Sequence, residues 1–276
     1  FHYLPMYGIL IAFKDIKIFR NLGSIMTGEW IGFKYFVEYL TDPYFWKLVR
    51  NTLLLNIYGL LWGFPIPIIL AIMLNEVRHN RYKRVIQTLS YLPHFISNVV
   101  VCGMVVNFLS LDGIINQLLE FLGQDKIQFL MLPEWFRTIF TATGIWQSCG
   151  WNSIVYLAAL MAVDQQLVEA AEIDGANRFQ RIWHVSIPCI TPTISIMLIM
   201  QLGRLMTLGY EKILLLYNGS TYETADVIST YVYRRGVVSA DYSYSTAVGL
   251  FQTFVSLILL VASNKISKKL SETSLW

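Results

Sequence analysis

The chain has 276 residues, 14% of them charged and 55% hydrophobic, with a formal net charge of +3. A soluble domain carries about 25% charged residues and a disordered chain is charge-rich and apolar-poor, so neither class fits. The net charge is small and no basic run alternates with stacking aromatics, which excludes a nucleic-acid binder.

Five windows contain no Asp, Glu, Lys or Arg: 51–75, 85–111, 138–163, 182–203 and 242–264. Each exceeds the roughly 20 residues that a helix needs to cross a bilayer. Residues 1–13 are also charge-free. They read as the end of a first transmembrane helix, with residues upstream of Phe1 expected, and with Lys14, Asp15 and Lys17 marking its exit. The start carries no basic region and no small-residue cleavage site, so it is not read as a signal peptide. The fold class expected is therefore all-α integral membrane, with six transmembrane helices, the first of them truncated.

Segment 14–50 reads as external. Its Trp30, Tyr35, Phe36, Tyr39, Tyr44 and Trp46 are mixed with Lys34, Glu38 and Lys47. Such a density of aromatics fits an interfacial belt or a short helix on the membrane surface; contact with an external partner is the alternative. Residues 51–264 form the core. Its spans are placed near Leu53–Leu74, Pro93–Ser110, Trp135–Ala162, Pro188–Leu208 and Tyr244–Ser263. Pro65 and Pro67 fall within the first of these, which a membrane helix tolerates where neighbours satisfy the freed carbonyls. Residues 265–276 are a tail. Cys102, Cys149 and Cys189 lie in or beside apolar windows with no close pair, so they read as buried small hydrophobes, with neither disulfide nor zinc.

Basic residues orient the chain. Arg78, Arg81, Lys83 and Arg84 stand against Glu76 in one connection, Arg178 and Arg181 lie in another, and Lys265, Lys268 and Lys269 stand against Glu272 in the tail. Loop 111–134 has only Lys126 against Asp112, Glu120, Asp125 and Glu134. The first group is expected in the cytoplasm, and the C-terminus with it.

The connection at 163–188 is longer than the 2–8 residues that usually join helices. From Asp164, a candidate cap, to Ile173 its composition is helical. Asp174-Gly175 is a break where glycine permits positive φ. A second helix is expected from Ala176 to about Val185, with Phe179, Ile182 and Trp183 on one face. Pro188 and Pro192 then restart the chain as a membrane helix. Two short helices at roughly a right angle would protrude and dock into a cleft on another protein.

Glu169-Ala170-Ala171, two residues, Asp174-Gly175-Ala176, ten residues, then Ile187-Pro188 resembles the EAA loop of binding-protein-dependent ABC importer permeases. YGILIAFKD at 7–15 and YLPHFIS at 91–97 are similar to the oligosaccharide branch of these sugar permeases, close to the lipoprotein-associated polysaccharide permeases and of the maltose-permease type. The resemblance implies a type I importer permease fold in the bacterial cytoplasmic membrane. It implies that the loop is a coupling helix seated on a cytoplasmic ATPase: Glu169 makes the polar contact, Ala170 and Ala171 allow close approach, Gly175 forms the bend, and Asp174, Ala176, Phe179 and Pro188 complete the unit. It also implies a second homologous permease subunit, two copies of the ATPase and an extracellular solute-binding protein, a lipoprotein. The chain is not expected to be an enzyme. It has no G-x-x-x-x-G-K-[ST] loop to cradle phosphate, so ATP and Mg belong to the partner ATPase and this chain binds no cofactor or metal of its own.

Polar and aromatic residues inside spans are the place to seek the substrate. Amides bond sugar hydroxyls and aromatic faces take the C–H patches of the ring. The candidates are Asn56, Tyr58, Asn107, Gln147, Trp151, Asn152, Tyr156 and Gln201, with Gln147–Trp151 and Asn152–Tyr156 each at i, i+4. Interhelical hydrogen bonding is the alternative role for the amides. The competing function is a secondary transporter driven by an ion gradient. Proton coupling usually needs an ionisable group within a span, and the windows offer only His94 and His184, both near span ends. An intramembrane enzyme would need a nucleophile–base pair or a metal set, and no such spacing occurs.

Overall fold

The computed structural model describes residues 6–16 and 23–271. Tyr7–Phe13 is a 3-10 helix, not the α-helical end of a span; residues 1–5 and Lys17 lie outside the described residues. Strand β1 (Lys14–Asp15) pairs antiparallel with β2 (Glu29–Trp30), Lys14 opposite Trp30. Between them lies α1 (Gly23–Thr27), and α2 (Lys34–Thr41) follows. Trp30, Tyr44 and Trp46 are exposed as a belt requires, but Tyr39 is buried against Phe45 and Tyr244. The aromatics of 14–50 thus divide between surface and core.

Helices α3 (Phe45–Gly63) and α4 (Pro65–Glu76) form one apolar run. The break at Phe64 puts Pro65 at the first position of α4, where its missing N–H would be unpaired in any case. The second window does not give one span at Pro93–Ser110. It contributes the end of α5 (Asn80–Tyr91), a 3-10 turn at Leu92–Phe95, and α6 (Asn98–Leu109), which joins α7 (Ile114–Phe121) in the apolar run Asn98–Phe121. The ring of Pro93 favours the tight turn and delays the helix to Asn98. After a short turn at Phe129–Met131 comes α8 (Pro133–Met161), close to the expected bounds.

Next are α9 (Gln165–Ile173), α10 (Arg178–Arg181), a π-helical turn at Ile182–Ser186 and α11 (Ile187–Gly203). Then follow α12 (Tyr210–Leu216), α13 (Tyr222–Ala225), α14 (Ile228–Tyr233), a second π turn at Arg234–Val238 and α15 (Tyr242–Ser271). The described part of the tail continues α15. Among the described residues, four runs are long and apolar enough to cross a membrane: Phe45–Glu76, Asn98–Phe121, Arg178–Gly203 and Tyr242–Lys268. Pro133–Met161 and Gln165–Ile173 meet the same test as a pair bent by 71°.

The elements divide into two compact units. One comprises Phe1–Asn56, Val106–Arg137 and Gly203–Leu259. Its core gathers Tyr39, Phe45, Leu48, Met206, Ile228, Tyr244 and Val248. The 209–243 connection is folded down by a buried charge. The Asp226 carboxylate accepts both terminal nitrogens of Arg234, at 2.8 and 2.7 Å, and the Thr230 hydroxyl at 2.7 Å. This pairing, chiefly its hydrogen bond, holds the Arg234 guanidinium above its ordinary pKa. The Asn51 amide nitrogen donates to the carbonyls of Glu223 and Asp226, at 2.9 and 3.0 Å. Only Asp226 is buried and Arg234 keeps a third of its side chain in contact with solvent, so removing the carboxylate strands a partly solvated charge and costs less than the loss of one partner from a fully buried pair. Asp226→Ala is therefore expected to lower the unfolding midpoint of the purified protein below wild type; an unchanged midpoint would show that the pair contributes nothing.

The other unit comprises Ile57–Val105, Thr138–Leu202 and Leu260–Trp276. Its core is Ala71, Leu74, Tyr156, Leu157, Leu160 and Ile190. None of the three cysteines is in a disulfide, but only Cys102 is buried; Cys189 is exposed and Cys149 lies between. The small-hydrophobe reading thus holds for Cys102 alone, because Cys189 lies on an outward face of α11.

Candidate coupling site and transport path

Segment 163–188 lies within the second unit. Asp164 caps α9, its carboxylate accepting the Gln166 N–H at 2.9 Å, as a side-chain oxygen does at a helix start. Helix α9 ends in a recognisable C-cap. Gly175 has φ +79°. Its N–H donates to the Glu172 carbonyl at 3.0 Å, and the Ala176 N–H donates to the Ala171 carbonyl at 2.9 Å. These two bonds make a Schellman motif. They explain the Asp-Gly-Ala sequence: a polar C-cap, a glycine for the left-handed conformation, and a small residue folding back over Ala171. Asn177 then opens the next helix with a capping box. Its side chain accepts the Gln180 N–H at 2.9 Å, while the Gln180 side chain accepts the Asn177 N–H at 2.8 Å.

From Arg178 the helix does not stop. It runs to Gly203 as a single 26-residue apolar run, so the expected restart at Pro188 does not occur. Proline removes one backbone donor, and the widened π turn at Ile182–Ser186 absorbs the defect. Helix α9 is thus joined by one elbow to a helix long enough to span the bilayer. Glu172 and Arg181 form an ion pair across the elbow. A groove of about 390 Å³ opens there, lined by Ala171, Gly175, Ala176, Gln180 and His184 among others.

Glu169, Ala170, Asp174, Gly175, Phe179 and Pro188 are exposed, and Ala171 and Ala176 half-buried. Glu169 has no ion pair among the described residues. Phe179 and Trp183 stack at 6.4 Å and are 73% and 60% exposed. The chain's own spans leave most of both rings uncovered. With Leu167 and Ile173 these rings leave apolar surface uncovered around the elbow, as interaction sites do.

The path candidates separate by environment. In the second unit Gln147 is buried, donating to the Ile96 carbonyl at 3.1 Å and the Asn98 side chain at 3.3 Å. Tyr156 is in the core, edge-on to Phe64. Tyr58, Trp151, Asn152 and Gln201 are exposed. The Trp151 ring lies flat on His94 at 4.6 Å and edge-on to Phe95 at 5.6 Å. Sequence reasoning missed this grouping, because His94 and Trp151 are 57 positions apart and nothing in either window pairs them. In the first unit Asn56 bonds the Thr52 carbonyl of its own helix at 3.0 Å, and Asn107 is exposed.

Residues 63–272 match the family "Binding-protein-dependent transport system inner membrane component". The whole chain is 45% identical to 85% of the polygalacturonan/rhamnogalacturonan transport system permease protein YteP of Bacillus subtilis (strain 168). It is 46% identical to 86% of protein LplB of the same organism. It also superposes in full, with a TM-score of 0.90 and 44% identity, on 91% of a chain of a bacterial alginate ABC transporter crystallised with its alginate pentasaccharide-bound periplasmic protein.

Proposed function

Since the chain belongs to the binding-protein-dependent transport system inner membrane components, we propose that it carries a carbohydrate, an oligosaccharide, through the bacterial cytoplasmic membrane as the permease subunit of an ATP-driven importer. It is a transport subunit and not an enzyme. The observation that carries the reading is the capped elbow that fuses α9 to the 26-residue run Arg178–Gly203. A push on α9 by a closing ATPase passes through a capped turn, braced by the Glu172–Arg181 ion pair, into a membrane helix, which is what alternating access requires.

The apolar runs cross the membrane, and the basic connections and C-terminus face the cytoplasm. A second homologous permease, two ATPase copies that hold ATP and Mg, and an extracellular solute-binding lipoprotein complete the machine. Glu169, Ala170, Ala171, Asp174, Gly175, Ala176, Phe179 and Pro188 form the coupling surface. Tyr58, Trp151, Asn152 and Gln201 contact sugar in their unit. Gln147 and Tyr156 hold helices in place, Asn56 bonds back to its own helix, and Asn107 is a separate candidate. The names of similar proteins point to acidic polysaccharides: polygalacturonan, rhamnogalacturonan and alginate. Oligosaccharides containing uronic acid are the first substrates to try.

The test is the complex reconstituted with its ATPase, second permease and solute-binding protein. ATP hydrolysis is expected to rise when the binding protein carries an oligogalacturonate or alginate fragment, with little rise when it is empty. Uptake that runs on an ion gradient without ATP would overturn the reading.

A further inference from the structure

None of the residues of α5 is buried. Tyr82, Val85, Ile86 and Leu89 follow at i, i+3, i+4 and i+7 and share one face, and they are 40–68% exposed. The start of the helix and the turn before it carry Arg78, Arg81, Lys83 and Arg84, with Glu76 the one acid near in sequence. No carboxylate among the described residues pairs with any of these four. By contrast Lys47, Arg50, Lys126, Arg234 and Arg235 all have carboxylate partners. A helix dipole disfavours cations in the first turn, so the cluster sits where its own helix does not favour it.

Two further observations say what covers this face. The apolar run Phe45–Glu76 ends three residues before α5 begins, which puts the cations where a span meets the headgroups. The far end of α5 is seated on α8, where the Ser90 carbonyl lies directly against the backbone of Gly150. A helix with a basic side and an apolar face is suited to an anionic membrane surface.

We propose that α5 binds anionic phospholipid headgroups of the cytoplasmic leaflet, with Arg78, Arg81, Lys83 and Arg84 on the phosphates and Tyr82, Val85, Ile86 and Leu89 among the acyl chains. This rests on the orientation given under the proposed function, not on the sugar. The probe is phosphatidylglycerol. The whole complex is reconstituted in equal parts phosphatidylglycerol and phosphatidylcholine, and the lipid retained on purification is counted by mass spectrometry. The wild type is expected to enrich phosphatidylglycerol. The variant Arg81→Gln/Lys83→Gln/Arg84→Gln is expected to lose it, by up to about fivefold per cation removed. The tail variant Lys265→Gln/Lys268→Gln is expected to keep it.

Equal enrichment in wild type and triple variant overturns the proposal, as does equal loss in the tail variant. So does a triple variant that keeps its lipid but sheds the second permease or the ATPase, for then the surface belongs to a protein. An Arg78→Cys variant that also carries Cys149→Ser and Cys189→Ser reports orientation separately. Labelling from outside intact cells would overturn the orientation and the proposal together, whereas protection with no lipid preference overturns the proposal alone.

Discussion

Glu169→Lys is expected to abolish uptake while leaving the permease folded and in the membrane. Glu169 is exposed and without an ion pair among the described residues, so its loss removes no internal contact. Helix α9 keeps its N-cap at Asp164 and its Schellman cap at Gly175, and lysine is as good a helix former as glutamate. What changes is the sign of a charge on the face that we propose meets the ATPase. Losing one partner of a desolvated interfacial charge pair costs about 2–5 kcal/mol, at least about thirtyfold in affinity. The measurement is co-purification of the ATPase with tagged permease, together with ATP-driven uptake. Loss of both at normal permease levels supports the contact. Unchanged uptake and unchanged co-purification would remove Glu169 from the coupling surface. Glu172→Gln makes a useful comparison, because Glu172 is tied to Arg181 within the loop.

The coupling loop was legible because its rules are local. Asp164 as a cap and a positive φ at Gly175 follow from neighbours within four positions, and the structure has both; the second helix, expected from Ala176, begins two residues later at Arg178 because Asn177 caps it. The continuity through Pro188 was not legible. Proline forbids one hydrogen bond, and whether a helix ends there or widens into a π turn depends on the packing of the whole run. The path candidates fared likewise. Composition marks Gln147 and Trp151 as a pair on one helix face, but the structure turns Gln147 inward to Ile96 and lays Trp151 on His94. Those partners are some fifty positions away, and no periodicity reports them. Likewise Asp226 and Arg234, two ordinary charges eight positions apart in a polar stretch, meet with Asp226 buried only once α14 forms between them.

Gly150→Leu is expected to be the most damaging single substitution in the membrane core. A Cβ at Gly150 would lie 2.1 Å from the Ser90 carbonyl oxygen and 2.4 Å from its carbon. Both are backbone atoms, so no rotamer change relieves the clash and α5 must move away from α8. The neighbouring contacts sit on the same stretch of α8: Gln147 on Ile96, and Trp151 on His94 and Phe95. They hold the turn between α5 and α6, and a shift of α5 pulls on all of them. Small residues are what let membrane helices approach this closely. Overpacking a tight contact costs about 1–3 kcal/mol, and a leucine between two backbones lies at the upper end. Even Gly150→Ala meets the same carbonyl. Gly144 supplies the control, since nothing lies within 4 Å of its Cβ position and alanine there removes a helix-weakening glycine from the same helix. The measurement is the unfolding midpoint and the yield of assembled complex for the three variants. Gly144→Ala should equal or exceed wild type, Gly150→Ala should fall clearly below it, and Gly150→Leu should yield little folded protein. Equal stability of Gly144→Ala and Gly150→Ala would mean that α5 does not press on α8 at this point.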